Sequence, residues 1–165
     1  MTEKKPLRIG RLFRTLTISI FLISFFSCPA VALTKITTKQ LKTVYAIGAR
    51  EGVPRSIITQ LMAEESQGYV DAVSHETAEG YYSRGLFQLY DKPGNLEWLL
   101  ARFWPGGAFD INDPVDNSTV ALAYLAALHA RFGNWYQALI YYNHGDVKGY
   151  SEETRAYAKR IVNAH

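Results

Sequence analysis

From Thr38 onward, apolar residues recur at intervals of three and four, the spacing that lines one face of a helix. Leu41, Val44, Tyr45 and Ile47 mark a first helix, which Thr37 or Thr38 can cap and which ends near Gly52. Pro54 opens a second helix at a position where its missing N–H costs nothing, and this helix runs to about Ser66, with Gly68 just beyond. A loop from Tyr69 to Gly94 follows, long for a compact domain and therefore a candidate for function or motion. The pattern then predicts a short helix over "LEWLLARF", from Leu96 to Phe103, before Pro105-Gly106-Gly107 breaks the chain. Asp113 caps the next helix and Pro114 occupies its first turn. Its apolar positions, Val120, Leu122, Leu125, Leu128 and Phe132, imply a largely buried element. "WYQALIYYN" is a further short helix, and "SEETRAYAKRIVNAH" is the last, capped by Ser151 with two acids in its first turn. No convincing strand pair stands out, although a short hairpin fits between Ser74 and Leu89. The expected fold class is all-α, or mostly α.

The first thirty-two residues follow a different rule. "MTEKKPLRIGRLFR" is basic, "TLTISIFLISFFSCPAVA" is uncharged, and Ala30-Val31-Ala32 has the small-x-small pattern of a signal-peptidase site. Residues 1–32 are thus expected to be a signal peptide and residues 33–165 the working domain, exported to the periplasm or another extracytoplasmic part of the envelope. Two other readings compete: an uncut anchor, since about 18 apolar residues can just span a bilayer, or lipidation of Cys28. Against lipidation, "SFFSC" lacks a Leu at the third position before the cysteine, and Pro follows.

The leader changes the meaning of the charge. The whole chain of 165 residues carries 18 basic and 15 acidic residues, a net +3. Five of the basic residues and one acid lie in the leader, so the remainder is −1. The basic balance belongs to the leader and gives no reason to expect a nucleic-acid partner. The one cysteine also lies there, so the domain has no disulfide to form and must be held by its core. With no Cys cluster and no HExxH, neither metal nor cofactor is expected.

The chemistry concentrates where the second helix ends. Glu64 and Glu65 are adjacent, and acids near a helix C-terminus oppose its dipole. At about 100° per residue, with Ile58 at zero, Ile57, Ile58, Leu61 and Met62 centre at about 330°. Glu65 falls at about 340°, within that apolar face, and Glu64 at about 240°, to one side. Glu65 therefore points toward the core, where its carboxyl would stay protonated near neutrality and could serve as a general acid. The competing reading is that the helix frays first and the side chain is solvated.

Three segments, "ESQGYVDAVS", "GLFQL" and "YYNHG", occur in that order after a helix "EGVPRSIITQLMAEES" and before "SEETRAYAKRIVN". Together they resemble the motifs of lytic transglycosylases with the soluble-transglycosylase (SLT-type) catalytic domain, members of the lysozyme-like superfamily. The resemblance covers Thr38 to Ala164. It implies a lysozyme-like all-α fold with a glycan cleft and cleavage of the bond between N-acetylmuramic acid and N-acetylglucosamine in peptidoglycan strands. It also implies a 1,6-anhydro product made by one carboxyl acting first as acid and then as base.

The catalytic acid implied is the Glu directly before Ser, here Glu65, in agreement with the helical-face argument. Residue by residue, the resemblance further implies that Ser74 meets the substrate's N-acetyl group and that Gln88 lines the cleft. Phe87 stands where the family usually has Met and would keep an apolar wall. Tyr142 would hydrogen-bond the catalytic carboxyl, followed by Asn143, which could also be a helix cap. Ser66 reads as a support for the site's backbone. His144, where the family has Ala, reads as a solvated turn residue before Gly145, while Tyr81 and Tyr82 either stack on sugar or pack the loop.

One departure stands out. Ser74 and Gly85 are farther apart than is common in the family, so "HETAEGYYSR" bulges from a cleft wall and brings Glu76 and Glu79. Goose-type lysozymes share the superfamily and hydrolyse with a water held by extra acids, a role open to Asp71, Glu76 or Glu79. A hydrolytic muramidase and a non-catalytic peptidoglycan-binding assembly factor are therefore the alternatives. No wall-anchoring repeat is recognisable, which suggests targeting by a partner such as a secretion or conjugation apparatus.

Overall fold

The computed structural model describes residues 33–163 except Glu76 and Glu79. The expected leader, residues 1–32, lies outside the described residues. Six helices and one small hairpin follow in the order α1 (Thr38–Arg50), α2 (Arg55–Ser66), β1 (Ser83–Arg84), β2 (Leu89–Tyr90), α3 (Asn95–Phe103), α4 (Pro114–Phe132), α5 (Trp135–His144) and α6 (Glu152–Val162).

The caps sit where the residue types require them. The Thr37 hydroxyl accepts from the Gln40 N–H while the Gln40 side chain accepts from the Thr37 N–H, a reciprocal capping box for α1. Asp113 accepts from the N–H groups of Val115 and Asp116, and Pro114 begins α4. The Ser151 hydroxyl accepts from Thr154 N–H at the start of α6.

Helix α4 is the central post. Val120, Ala121, Leu122 and Leu125 are wholly buried, and α1, α3 and α5 pack around it. Helix α6 packs on α5 and α2 instead, closing the other side. The approach of α1 to α2 depends on Gly48, where an added Cβ would lie 2.1 Å from Ile58 Cδ1.

The hairpin that the sequence left as a possibility is present. Ser83 pairs with Tyr90 and Arg84 with Leu89, antiparallel, and Val73 adds a bridge to Arg84. Of its connecting residues, Gly85 to Phe87 are buried and Gln88 is half-buried. Leu86 and Phe87 are wholly buried, so the turn plugs into the core. A buried turn needs partners for its backbone polar groups, and Asn117 of α4 supplies them. Its Oδ1 accepts from Phe87 N–H at 2.9 Å, and its Nδ2 donates to Arg84 O at 3.1 Å and Ile111 O at 2.9 Å. Gly85 has to be glycine here. Its φ is +79°, and a Cβ would come within 2.3 Å of both Asn117 Nδ2 and Ile111 O.

Phe87 thereby departs from expectation. The sequence reading made it an apolar wall of the cleft, but its side chain is fully enclosed and belongs to the core. The physical reason is the inward plunge of the turn.

Replacing Asn117 with Ala removes three hydrogen bonds that hold the buried turn, to Phe87 N–H, Arg84 O and Ile111 O. Asn117→Ala should cost about 2–4 kcal/mol of stability. Urea unfolding should show a lower midpoint at an unchanged slope.

Candidate active site

Helix α2 stops because Gln67 turns into the left-handed region, φ 55°, and Gly68 follows at φ 80°. Ser66 secures that end: its hydroxyl donates to Met62 O and accepts from Gly68 N–H. The last turn of α2 thus presents Glu64 and Glu65 in two directions, and α6 meets both.

Arg160 takes Glu64 in a bidentate grip, Nε to Oε1 at 2.9 Å and Nη2 to Oε2 at 2.8 Å. That hydrogen bonding, with the guanidinium charge behind it, outweighs partial burial and holds the Glu64 carboxyl below its usual range. Three residues earlier on α6, and so on the same face, Tyr157 donates its hydroxyl proton to Glu65 Oε1. The Glu65 residue keeps an open edge on a cavity, yet its carboxyl is enclosed. Burial pushes it up to about 7, the negative charge of Glu64 adds to the rise, and the Tyr157 hydrogen bond opposes it.

The cavity beside Glu65 measures about 420 Å³, within the size range of small-ligand sites, about 300–1,000 Å³. Glu65 and Gln88 line it together with Tyr142, Asn143 and His144 from the end of α5. The hairpin adds Ser83, Leu89 and Tyr90, α3 adds Asn95 and Leu99, and α4 adds Tyr124. Glu65 is the single carboxylate in this lining among the described residues.

Gln88 sits at φ 51°, an uncommon region for a non-glycine residue. Its Nε2 donates to Ala72 O at 3.1 Å and Gly85 O at 2.9 Å. Both partners are carbonyls, which fixes the amide's orientation, and Oε1 makes no hydrogen bond to another described residue. Asn143 is exposed on the rim, where its Oδ1 accepts from Thr154 Oγ1 at 3.1 Å and ties α5 to the start of α6. His144 was read as a solvated turn residue. It is exposed, ends α5, and also borders the cavity.

Two hydroxyls have partners other than those expected. Tyr142 does line the cavity, but its hydroxyl donates to Phe87 O at 2.8 Å, not to the Glu65 carboxyl. The buried turn captures it, and the carboxyl's phenol partner is Tyr157 on α6. Ser74 does not line the cavity. Its hydroxyl accepts from Ser83 N–H at 2.8 Å and donates to His75 O at 3.1 Å, so it fastens the loop. Of the acids considered as water-holders, Asp71 is outside the cavity lining and accepts from Thr34 N–H through both oxygens. Glu76 and Glu79 lie outside the described residues. The ring of Tyr81 meets Tyr90 edge-on and Tyr82 lies by Arg84, so both pack the loop.

Tyr157 is the residue that sequence reasoning missed. It stood in the quoted "SEETRAYAKRIVN" segment and was given no role there. The available signal was Arg160, three residues on, a charge that must share a face with Tyr157.

The model of a transglycosylase SLT domain matches residues 42–164. The chain belongs to the transglycosylase SLT family. Comparison with curated proteins gives no match. Among solved structures, the chain resembles an inactive mutant of the lytic transglycosylase Slt from Pseudomonas aeruginosa, with 24% identity over 73% of this chain and a TM-score of 0.59. The SLT chain described here spans only 22% of that larger protein, and the likeness concerns the fold.

The raised Glu65 carboxyl has a consequence for stability. The folded state holds this proton up to about pH 7, whereas the unfolded chain releases it near 4.5. The fold therefore loses stability as pH rises between those values. Glu65→Gln removes the penalty, so the variant should be more stable than the parent above pH 7, by about 1–3 kcal/mol. The gap should close toward pH 4.5, as read from thermal melts across that range.

Proposed function

We propose that this SLT domain cleaves the glycosidic bond between N-acetylmuramic acid and N-acetylglucosamine in peptidoglycan, with Glu65 as acid and then base. The observation that carries the proposal is a carboxyl held protonated to about pH 7 at the edge of a cavity whose described lining has no second carboxylate. A hydrolase of the two-carboxylate type needs a partner about 5–9.5 Å away, as nucleophile or to activate water. An internal nucleophile needs none, because proximity replaces the second group.

Tyr157 donates to Glu65 Oε1. In the neutral acid this makes Oε1 the carbonyl oxygen and leaves the proton on Oε2. That proton passes to the glycosidic oxygen as the bond to muramyl C1 breaks, which frees the N-acetylglucosamine hydroxyl. The Glu65 carboxylate so formed, steadied by the same phenol, takes the proton of the muramyl 6-hydroxyl. Its oxygen closes on C1 to give the 1,6-anhydro sugar, and Glu65 returns to its starting state with no water consumed. Gln88, with both amide hydrogens committed to the backbone, offers a fixed carbonyl acceptor to a sugar hydroxyl or amide. The substrate places this work outside the cytoplasmic membrane, in keeping with the export signal expected at residues 1–32.

Mass spectrometry of muropeptides released from purified peptidoglycan tests the proposal. Products one water lighter than reducing muropeptides are expected. Reducing ends would instead mean that a bound water wins and would direct attention to Glu76 and Glu79. Absence of any release would favour a binding role. Glu65→Gln should remove release by a factor of about 10² or more, while Glu64→Gln should keep most of it. Equal losses in the two variants would refute the division of roles between them.

A further inference from the structure

The chain has three tryptophans, and the structure treats them differently. Trp135 stacks on His129 at 3.9 Å, and Trp104 packs on Phe109 while its indole N–H donates to Gly107 O. Trp98 is 45% exposed, and its indole N–H has no hydrogen-bond partner among the described residues. Only an exposed guanidinium, Arg102, rides over its ring, at 4.6 Å from the centroid. Such contacts are weak in water and readily exchanged.

Its position gives the exposure meaning. Asn95 and Leu99 of α3 line the cavity. Trp98 is three residues from Asn95 and next to Leu99, so it stands one helical turn further along the same lip. The ring is held nearly perpendicular to Tyr124, at 6.1 Å and 84°, and to Phe103, at 6.1 Å and 73°. Tyr124 itself lines the cavity and lies 5.8 Å from Tyr142. An aromatic path thus runs from beside Glu65, through Tyr142 and Tyr124, to an exposed indole locked in place by its neighbours.

We propose that Trp98 is a distal sugar platform, on which a hexosamine ring of the strand leaving the cavity along α3 stacks. This rests on the glycan reading above. The chemistry fits a sugar. One flat apolar ring meets the C–H face of a pyranose, and one free N–H donor meets a hydroxyl or acetamido oxygen. A pre-fixed ring loses little freedom on binding. The platform would make the enzyme favour long strands over short ones without touching the reacting bond.

The test compares wild type, Trp98→Ala and Trp98→Phe on long peptide-free glycan strands and on a tetrasaccharide of the same repeat. The ratio of kcat/KM for long over short substrate should fall about tenfold in Trp98→Ala, through KM, and recover in large part in Trp98→Phe. An unchanged ratio in a folded Trp98→Ala would overturn the proposal. A second measurement needs neither turnover nor the alanine variant: tryptophan fluorescence of Glu65→Gln titrated with the long strands. The emission should change on binding and stay constant when Trp98→Phe is added, whereas a signal that survives that change would count against Trp98. Failure of the wild type to cleave either substrate would count against the proposed reaction, and the fluorescence titration would still decide the platform.

Discussion

Helix α6 laid across the end of α2 is the contact on which the site depends. Two neighbouring carboxylates at one helix end repel each other and oppose the helix dipole. Left alone, both would seek water. Arg160 and Tyr157, one turn apart on α6, separate them: a guanidinium keeps Glu64 ionised at the surface, and a phenol holds Glu65 inward. Both donors favour the ionised form, but the bidentate guanidinium outweighs the partial burial of Glu64, whereas the burial of Glu65 outweighs its single phenol. The same docking therefore fixes geometry and protonation together. The phase of α6 is set in turn by Ser151 at its cap and by Thr154, whose hydroxyl donates to Asn143 of α5.

The opposite wall has its own organiser. Asn117, buried in the first turns of α4, satisfies the backbone of a turn that carries two large apolar side chains into the core. Once Phe87 is seated, its carbonyl receives the Tyr142 hydroxyl, and Gln88 is left at the cavity in an uncommon backbone conformation. The tyrosine of α5 thus braces the cavity wall while the tyrosine of α6 serves the carboxyl.

Much of this was legible in the chain because it follows from short-range rules. Thr37, Asp113 and Ser151 are cap residues with nearby donors to satisfy, and each begins a helix as expected. The end of α2 at Ser66 agrees with Gly68 just beyond, and the inward turn of Glu65 agrees with its place on the apolar face, a reading that fraying had left open. The failures came where long-range packing decides. Nothing local says that the turn Gly85–Gln88 faces inward, because its partner is a side chain some thirty residues on, and so Phe87 was assigned to the cleft. Ser74 was expected to meet substrate, and the structure shows what sequence spacing does not, that its hydroxyl fastens the loop. Tyr157 carries no local sign of its partner, because Glu65 is 92 positions away.

Burial of Glu65 and the Arg160 grip on Glu64 together give two adjacent glutamates opposite protonation states. A site-resolved carboxyl NMR titration of Glu64 and Glu65 in the folded domain measures this directly. Glu65 should titrate near 7 and Glu64 below its ordinary value of 4.5. Titration of both near 4.5, or of Glu64 above Glu65, would contradict it.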